Sequence, residues 1–172
     1  GRILEDHHLF FEIILDEQLT DQCGDFELLM LPNIKRLTME ETACLRRFVA
    51  KGGKLVMTGD TGALQPDGQP HETSPFSSWQ IAPLEHTWGR ITTERDGRIL
   101  HIPTAPWKPE DIDVTPGLTI PLYPLPDQDP FGQAFMKDLN TLLDPLMLDT
   151  DAPWFVRVRA WQTADKDAFV LH

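Results

Sequence analysis

The sequence predicts an α/β domain of three layers, with a mostly parallel sheet between helices and a β-hairpin at the C-terminal end. Three observations lead there. The runs at 10–14, 26–31 and 54–58 are apolar nearly throughout, as strands covered on both faces are. A helix with a legible start and stop separates the second run from the third, the spacing of a parallel crossover. The chain has 172 residues and is 41% hydrophobic, enough for one core without disulfide or metal staples.

Taken in order, residues 2–8 read as the end of a helix and 10–14 as a buried strand. The run 26–31 is a second strand, stopped by Pro32-Asn33. Thr38 and Glu41 then match a capping box, in which each side chain satisfies a backbone donor at a helix start. Leu45, Phe48 and Val49 recur at helical spacing, and Gly52-Gly53 ends the helix where the chain must turn left-handed. Residues 54–58 (KLVMT) form the third strand. The stretch 59–89 carries no sustained period. Asp96-Gly97 between two β-like runs predicts a hairpin over 90–102. Eight of the fifteen prolines fall in 103–130, which excludes a long helix there. Phe131, Phe135, Leu139, Leu142 and Leu143 predict an amphipathic helix packed on the sheet. At the end, 154–161 alternates, 164–167 is a polar turn and 168–171 is a return strand. A lone hairpin of this size is marginal in water and must pack on something. The division expected is 1–150 for the α/β domain and 151–172 for the hairpin.

Fifteen Lys and Arg against 27 Asp and Glu give a net charge of −12. Such a chain is a poor partner for a phosphate backbone or an anionic membrane surface. The apolar runs fall well short of the roughly 18–20 residues of a membrane span. No segment reads as a secretory signal. Cys23 and Cys44 show neither a disulfide framework nor zinc-ligand spacing, so two reduced thiols in the cytoplasm are expected. The six histidines lack ligand spacing, so no metal and no cofactor is expected.

The turn after the third strand, Thr58-Gly59-Asp60-Thr61-Gly62, is the most informative point for chemistry. Ligands of open α/β sheets bind at the carboxyl ends of strands, and such a corner can expose a nucleophile. Here it offers Asp60 and Thr61 as ligand contacts, or simply a glycine-rich turn capped by Asp60. It offers no Cys or Ser, and Gly59-x-x-Gly62 is too short for a nucleotide fingerprint. His71-Glu72 reads as an acid/base pair or as solvated surface. Trp79, Trp88 and Trp107 suit a sugar platform or loop packing, while Trp154, Phe155 and Trp161 suit an interface. Carboxylate pairs, such as Glu110-Asp111, are many, and glycoside hydrolysis needs two facing each other across a cleft.

The runs FEIILDEQL at 11–19, FELLMLP at 26–32, LTMEE at 37–41, LRRFV at 45–49 and GGKLVMT at 52–58 together resemble the trimerisation domain of family-42 β-galactosidases and related glycoside hydrolases. More loosely, FVRVRAW at 155–161 is similar to the start of the β-rich domain that follows it. The resemblance implies a flavodoxin-like fold of the class I glutamine-amidotransferase kind. Catalytic relatives of that fold carry a cysteine at the corner where this chain reads MTGDT, so no catalytic residue is carried over. The resemblance also implies that a strand and helix of the module would precede residue 1. The role expected is a non-catalytic oligomerisation or scaffolding module that forms a dimer or trimer. The alternatives are a carbohydrate or small-molecule binding domain, and a glycoside hydrolase using an acid pair.

Overall fold

The computed structural model describes residues 1–79, 82–83, 90–94, 97–102, 125–143, 150, 152–154, 156, 160–162 and 169–171. Among these residues, four α-helices, α1 (Arg2–Asp6), α2 (Asp16–Gln22), α3 (Met39–Ala50) and α4 (Pro130–Leu139), accompany seven strands. These are β1 (Leu28–Pro32), β2 (Lys54–Thr58), β3 (Ala82–Pro83), β4 (Arg90–Glu94), β5 (Gly97–Ile102), β6 (Ala160–Gln162) and β7 (Phe169–Leu171). Five strands form one sheet in the order β1-β2-β5-β4-β3, and β6 pairs with β7 separately.

The first three strands of that sheet are parallel, with Val56 of β2 registered between Met30 of β1 and Leu100 of β5. The hairpin expected around Asp96-Gly97 forms, as β4 pairs antiparallel with β5. Its second strand is also the third parallel strand, so among the described residues three strands run parallel and β4 and β3 extend the sheet antiparallel.

Side-chain alternation splits the core into two clusters. Leu29, Leu31, Leu55, Met57 and Ile99 face Leu19 of α2 and Leu45 and Val49 of α3. Val56, Leu100 and Ile102 face Leu4 of α1 and Phe131, Phe135 and Leu139 of α4. Successive strand residues point to opposite faces, so these are the two outer interfaces of the predicted three-layer arrangement. Leu55, Val56, Ile99 and Leu100 are fully buried.

Both long helices are built as their sequences require. In α3, Glu41 N donates to Thr38 Oγ1 at 3.1 Å, and Thr38 N donates to Glu41 Oε2 at 2.6 Å, completing the capping box. Gly52 at φ 100° ends the helix, and Gly53 N returns to Phe48 O. In α4, Pro130 takes the first turn and Asp129 caps Gly132 N at 2.9 Å. Helix α4 ends at Leu139, earlier than the apolar periodicity suggests. The chain turns at 140–142, and Leu142 still reaches the core.

Two expectations are corrected. Residues 10–14 are not a buried strand: they join no sheet among the described residues, with Phe10 43%, Phe11 42% and Ile13 78% exposed. Leu9 packs in the cluster on the α1/α4 face and Ile14 in the cluster on the α2/α3 face, so this segment carries the chain across the sheet. The cysteines are not two reduced thiols. Cys23, after α2, is disulfide-bonded to Cys44 in α3, and the fold brings them together although 21 positions separate them.

The Pro-rich stretch lies outside the described residues over 103–124. Its end forms a short 3-10 turn, Pro126–Gln128, leading into α4.

Candidate functional site

The carboxyl ends of β1, β2 and β5 bring together Asn33, Lys35, Thr58, Gly59, Asp60, Thr61 and His101. Sterics explain the corner's glycine. Gly59 has φ +57°, and a Cβ there would sit 2.5 Å from Asn33 Oδ1. Asn33 is itself left-handed at φ 56°, a conformation asparagine tolerates better than most residues. Its Oδ1 accepts the Asp60 N–H at 2.9 Å.

Two other polar side chains of the corner, Thr61 and His101, also turn inward. Thr61 Oγ1 lies 2.7 Å from Thr58 O and 3.2 Å from Leu31 O, and donates its proton to these carbonyls. His101 Nε2 is 3.1 Å from Gly59 O, so the ring presents an N–H to that carbonyl. Gly59 N donates to Ile102 O at 2.8 Å. Lys35 Nζ meets Asp60 Oδ2 at 3.3 Å, with both side chains well exposed. An exposed pair of this kind contributes little stability. Thr58 Oγ1 is buried and finds no hydrogen-bond partner among the described residues. Chemically, the corner offers a lysine-paired carboxylate and a hydroxyl engaged with backbone.

Trp79 packs as a core residue. It is 6% exposed, stacks on Phe76 at 4.8 Å, and has the Arg46 guanidinium 5.7 Å from its ring centre. A ring covered in this way presents no open face to a sugar. Trp154 is 36% exposed. Trp161 lies on β6. Trp88, Trp107 and Phe155 lie outside the described residues, as do Glu110 and Asp111. The structure therefore brings Asp60 and Thr61 together and buries Trp79 in the core.

One feature has no counterpart in the sequence reading. A cavity of about 600 Å³ opens at the opposite end of the sheet, where the strands begin. Cys23, Cys44, Phe26, Arg47, Lys51 and Lys54 are among its walls. The basic residues cluster where α3 ends, so they offset the negative end of its dipole. Their grouping with Gly52-Gly53 was visible in the sequence, but the contribution of Cys23 from the far side was not. Among the described residues, no three His, Cys, Asp or Glu side chains converge as metal ligands. None of the helices among those residues is long and apolar enough to cross a membrane.

Known structures share this architecture. Gan42B, a GH42 β-galactosidase from G. stearothermophilus, aligns with a TM-score of 0.61 at 16% identity over 95% of this chain and 28% of its own. The cold-adapted β-galactosidase of Rahnella sp. R3 aligns with a TM-score of 0.63 at 10% identity, over 92% and 28%. The β-galactosidase of Bacillus circulans sp. alkalophilus gives 0.59 at 12%, over 92% and 28%. This chain thus spans little more than a quarter of the length of these enzymes and has the fold of one section of them. No family model and no curated protein matches the sequence.

Proposed function

We propose that this chain is a non-catalytic oligomerisation or scaffolding module of a glycoside-hydrolase-related protein. It corresponds to the trimerisation section of family-42 β-galactosidases, with residues 151–172 as the lead into a further β domain. The observation that carries this reading is the corner after β2. Its backbone keeps the sharp strand-end turn through Gly59, while its side chains bond inward to Leu31, Thr58 and Gly59 carbonyls or pair on the surface with Lys35. A corner used this way holds structure rather than presenting a nucleophile to substrate. The likeness to a section of several β-galactosidase chains supports the same reading.

Two measurements on the same preparation test it. Nitrophenyl galactoside and related aryl glycosides should release no nitrophenol above the uncatalysed rate. Light scattering at tens of micromolar should give the mass of an assembly. Turnover lost in Asp60→Asn would overturn the non-catalytic role, and a strict monomer would overturn the assembly role.

A further inference from the structure

The Cys23–Cys44 bond forms part of the wall of the cavity at the amino ends of the strands. At about 600 Å³, this cavity has the size of a small-ligand pocket. The two sulfurs are placed differently. Cys23 belongs to the 3-10 turn after α2 and is 8% exposed, whereas Cys44 lies within α3 and is 2% exposed. Beside Cys23, a Cβ on Gly24 would meet nothing within 4 Å among the described residues, so the approach is open on that side.

Helix periodicity arranges the charge around the bond. Cys44, Arg47 and Lys51 are spaced i, i+3 and i+7, so the sulfur and two cations share one stripe of α3 and its cap. Lys54 adds a third cation at the start of β2, and Asp21 and Glu27 supply the opposing charges of the wall. The structure also accommodates the broken bond. Cys44 Sγ lies 3.8 Å from Leu19 O and from Thr20 O, so a Cys44 thiol has acceptors already in place. Leu19, Leu45, Phe48 and Val49 sit in one buried cluster, which holds α2 to α3 by apolar contact as well.

We propose that Cys23–Cys44 is a thiol-exchange site, open in the folded protein to a small anionic thiol of the glutathione class. This goes beyond the assembly role and does not depend on it. The incoming thiolate, drawn by Arg47 and Lys51, attacks Cys23 Sγ, the more exposed sulfur. A bond forms between the incoming sulfur and Cys23 as the bond to Cys44 breaks. Cys44 leaves as a thiolate on its cationic stripe, takes a proton from solvent and donates it to the Leu19 or Thr20 carbonyl. A second thiolate attacks the incoming sulfur and expels Cys23 as a thiolate, which is protonated in turn. Two thiols become one disulfide, and their two electrons reduce the protein bond.

Reduction of the oxidised chain by glutathione and by uncharged 2-mercaptoethanol tests this, with thiols trapped by alkylation and counted by mass. Oxidised glutathione first completes the bond. Reduction by glutathione should be linear in thiol and unchanged by urea below the unfolding transition. Arg47 and Lys51 are both exposed. Arg47→Gln with Lys51→Gln should lower the ratio of the glutathione rate to the 2-mercaptoethanol rate about threefold at low salt, and added salt should erase the difference. Cys44→Ser, which leaves Cys23, should form the mixed disulfide with oxidised glutathione about tenfold faster than Cys23→Ser. If either serine variant unfolds, the rate ratio decides. A chain that forms no Cys23–Cys44 bond, reduction only as urea unfolds the chain, or a rate ratio unmoved by the charge variant would each overturn the proposal. Faster reaction of a folded Cys23→Ser would do the same.

Discussion

Asn33 and Asp60, 27 positions apart, lock the ends of β1 and β2 together: the Asn33 side-chain oxygen accepts the Asp60 backbone N–H at 2.9 Å. Asn33 does this from a left-handed backbone, directly beneath the glycine that shapes the corner. Asn33→Ala loses the bond and strains the backbone, at a cost of about 1–2 kcal/mol. Asn33→Gly loses only the bond and should cost less. Urea unfolding of the three proteins checks the order. An alanine variant as stable as wild type would contradict it.

Thr58 buries a hydroxyl that meets no partner among the described residues. A buried, unsatisfied polar group is costly, whereas an apolar group of the same shape is not. Thr58→Val should therefore be neutral or stabilising, by up to about 1 kcal/mol, in the same unfolding experiment. A clear loss of stability would show that the hydroxyl is satisfied.

Gly97 opens β5 where the strand passes under the end of α3. A Cβ there would run into the Val49 carbonyl and lie 2.7 Å from the Gly53 carbonyl. Backbone cannot give way as a flexible side chain can. Gly97→Ala should cost about 1–3 kcal/mol, the range for overpacking a tight site, read as a lowered Tm.

Cys23 and Cys44 should leave no titratable thiol in the denatured, unreduced protein. Reduction should then release two thiols and lower the Tm, because the bond closes a loop between α2 and α3. Two thiols before reduction would restore the expectation read from the sequence.

His7 lies next to Asp6 at the end of α1. Burial pushes its pKa below the ordinary 6.5, and this outweighs the opposing pull of Asp6. The fold therefore favours neutral His7. The stability this gives is complete above pH 6.5 and is lost as pH falls through the lower folded value. An NMR titration should place the His7 midpoint below 6.5, and Asp6→Asn should lower it further. A midpoint above 6.5 would contradict the burial.

The elements legible in the sequence were those whose determinants are local. Thr38 and Glu41 announced the start of α3 and Gly52-Gly53 its end, because capping works within a few residues. The 90–102 hairpin was legible for the same reason. That β5 also completes the parallel trio was not, since a strand's second neighbour is set by the whole chain. Residues 10–14 were misread because an apolar run reads alike whether or not a partner strand lies beside it. At the site, the absence of Cys and Ser from residues 58–62 could be read directly. The Asn33 contact could not, because it joins two loops through a side chain. Nor did the spacing of Cys23 and Cys44 reveal their bond, which follows from how α2 docks on α3.

The most direct test of the assembly role is the solution mass of the 172-residue chain, measured by light scattering from low to tens of micromolar. One copy weighs 19.6 kDa. The mass should rise with concentration toward a whole-number multiple of that value. A mass that stays at 19.6 kDa throughout would contradict the account.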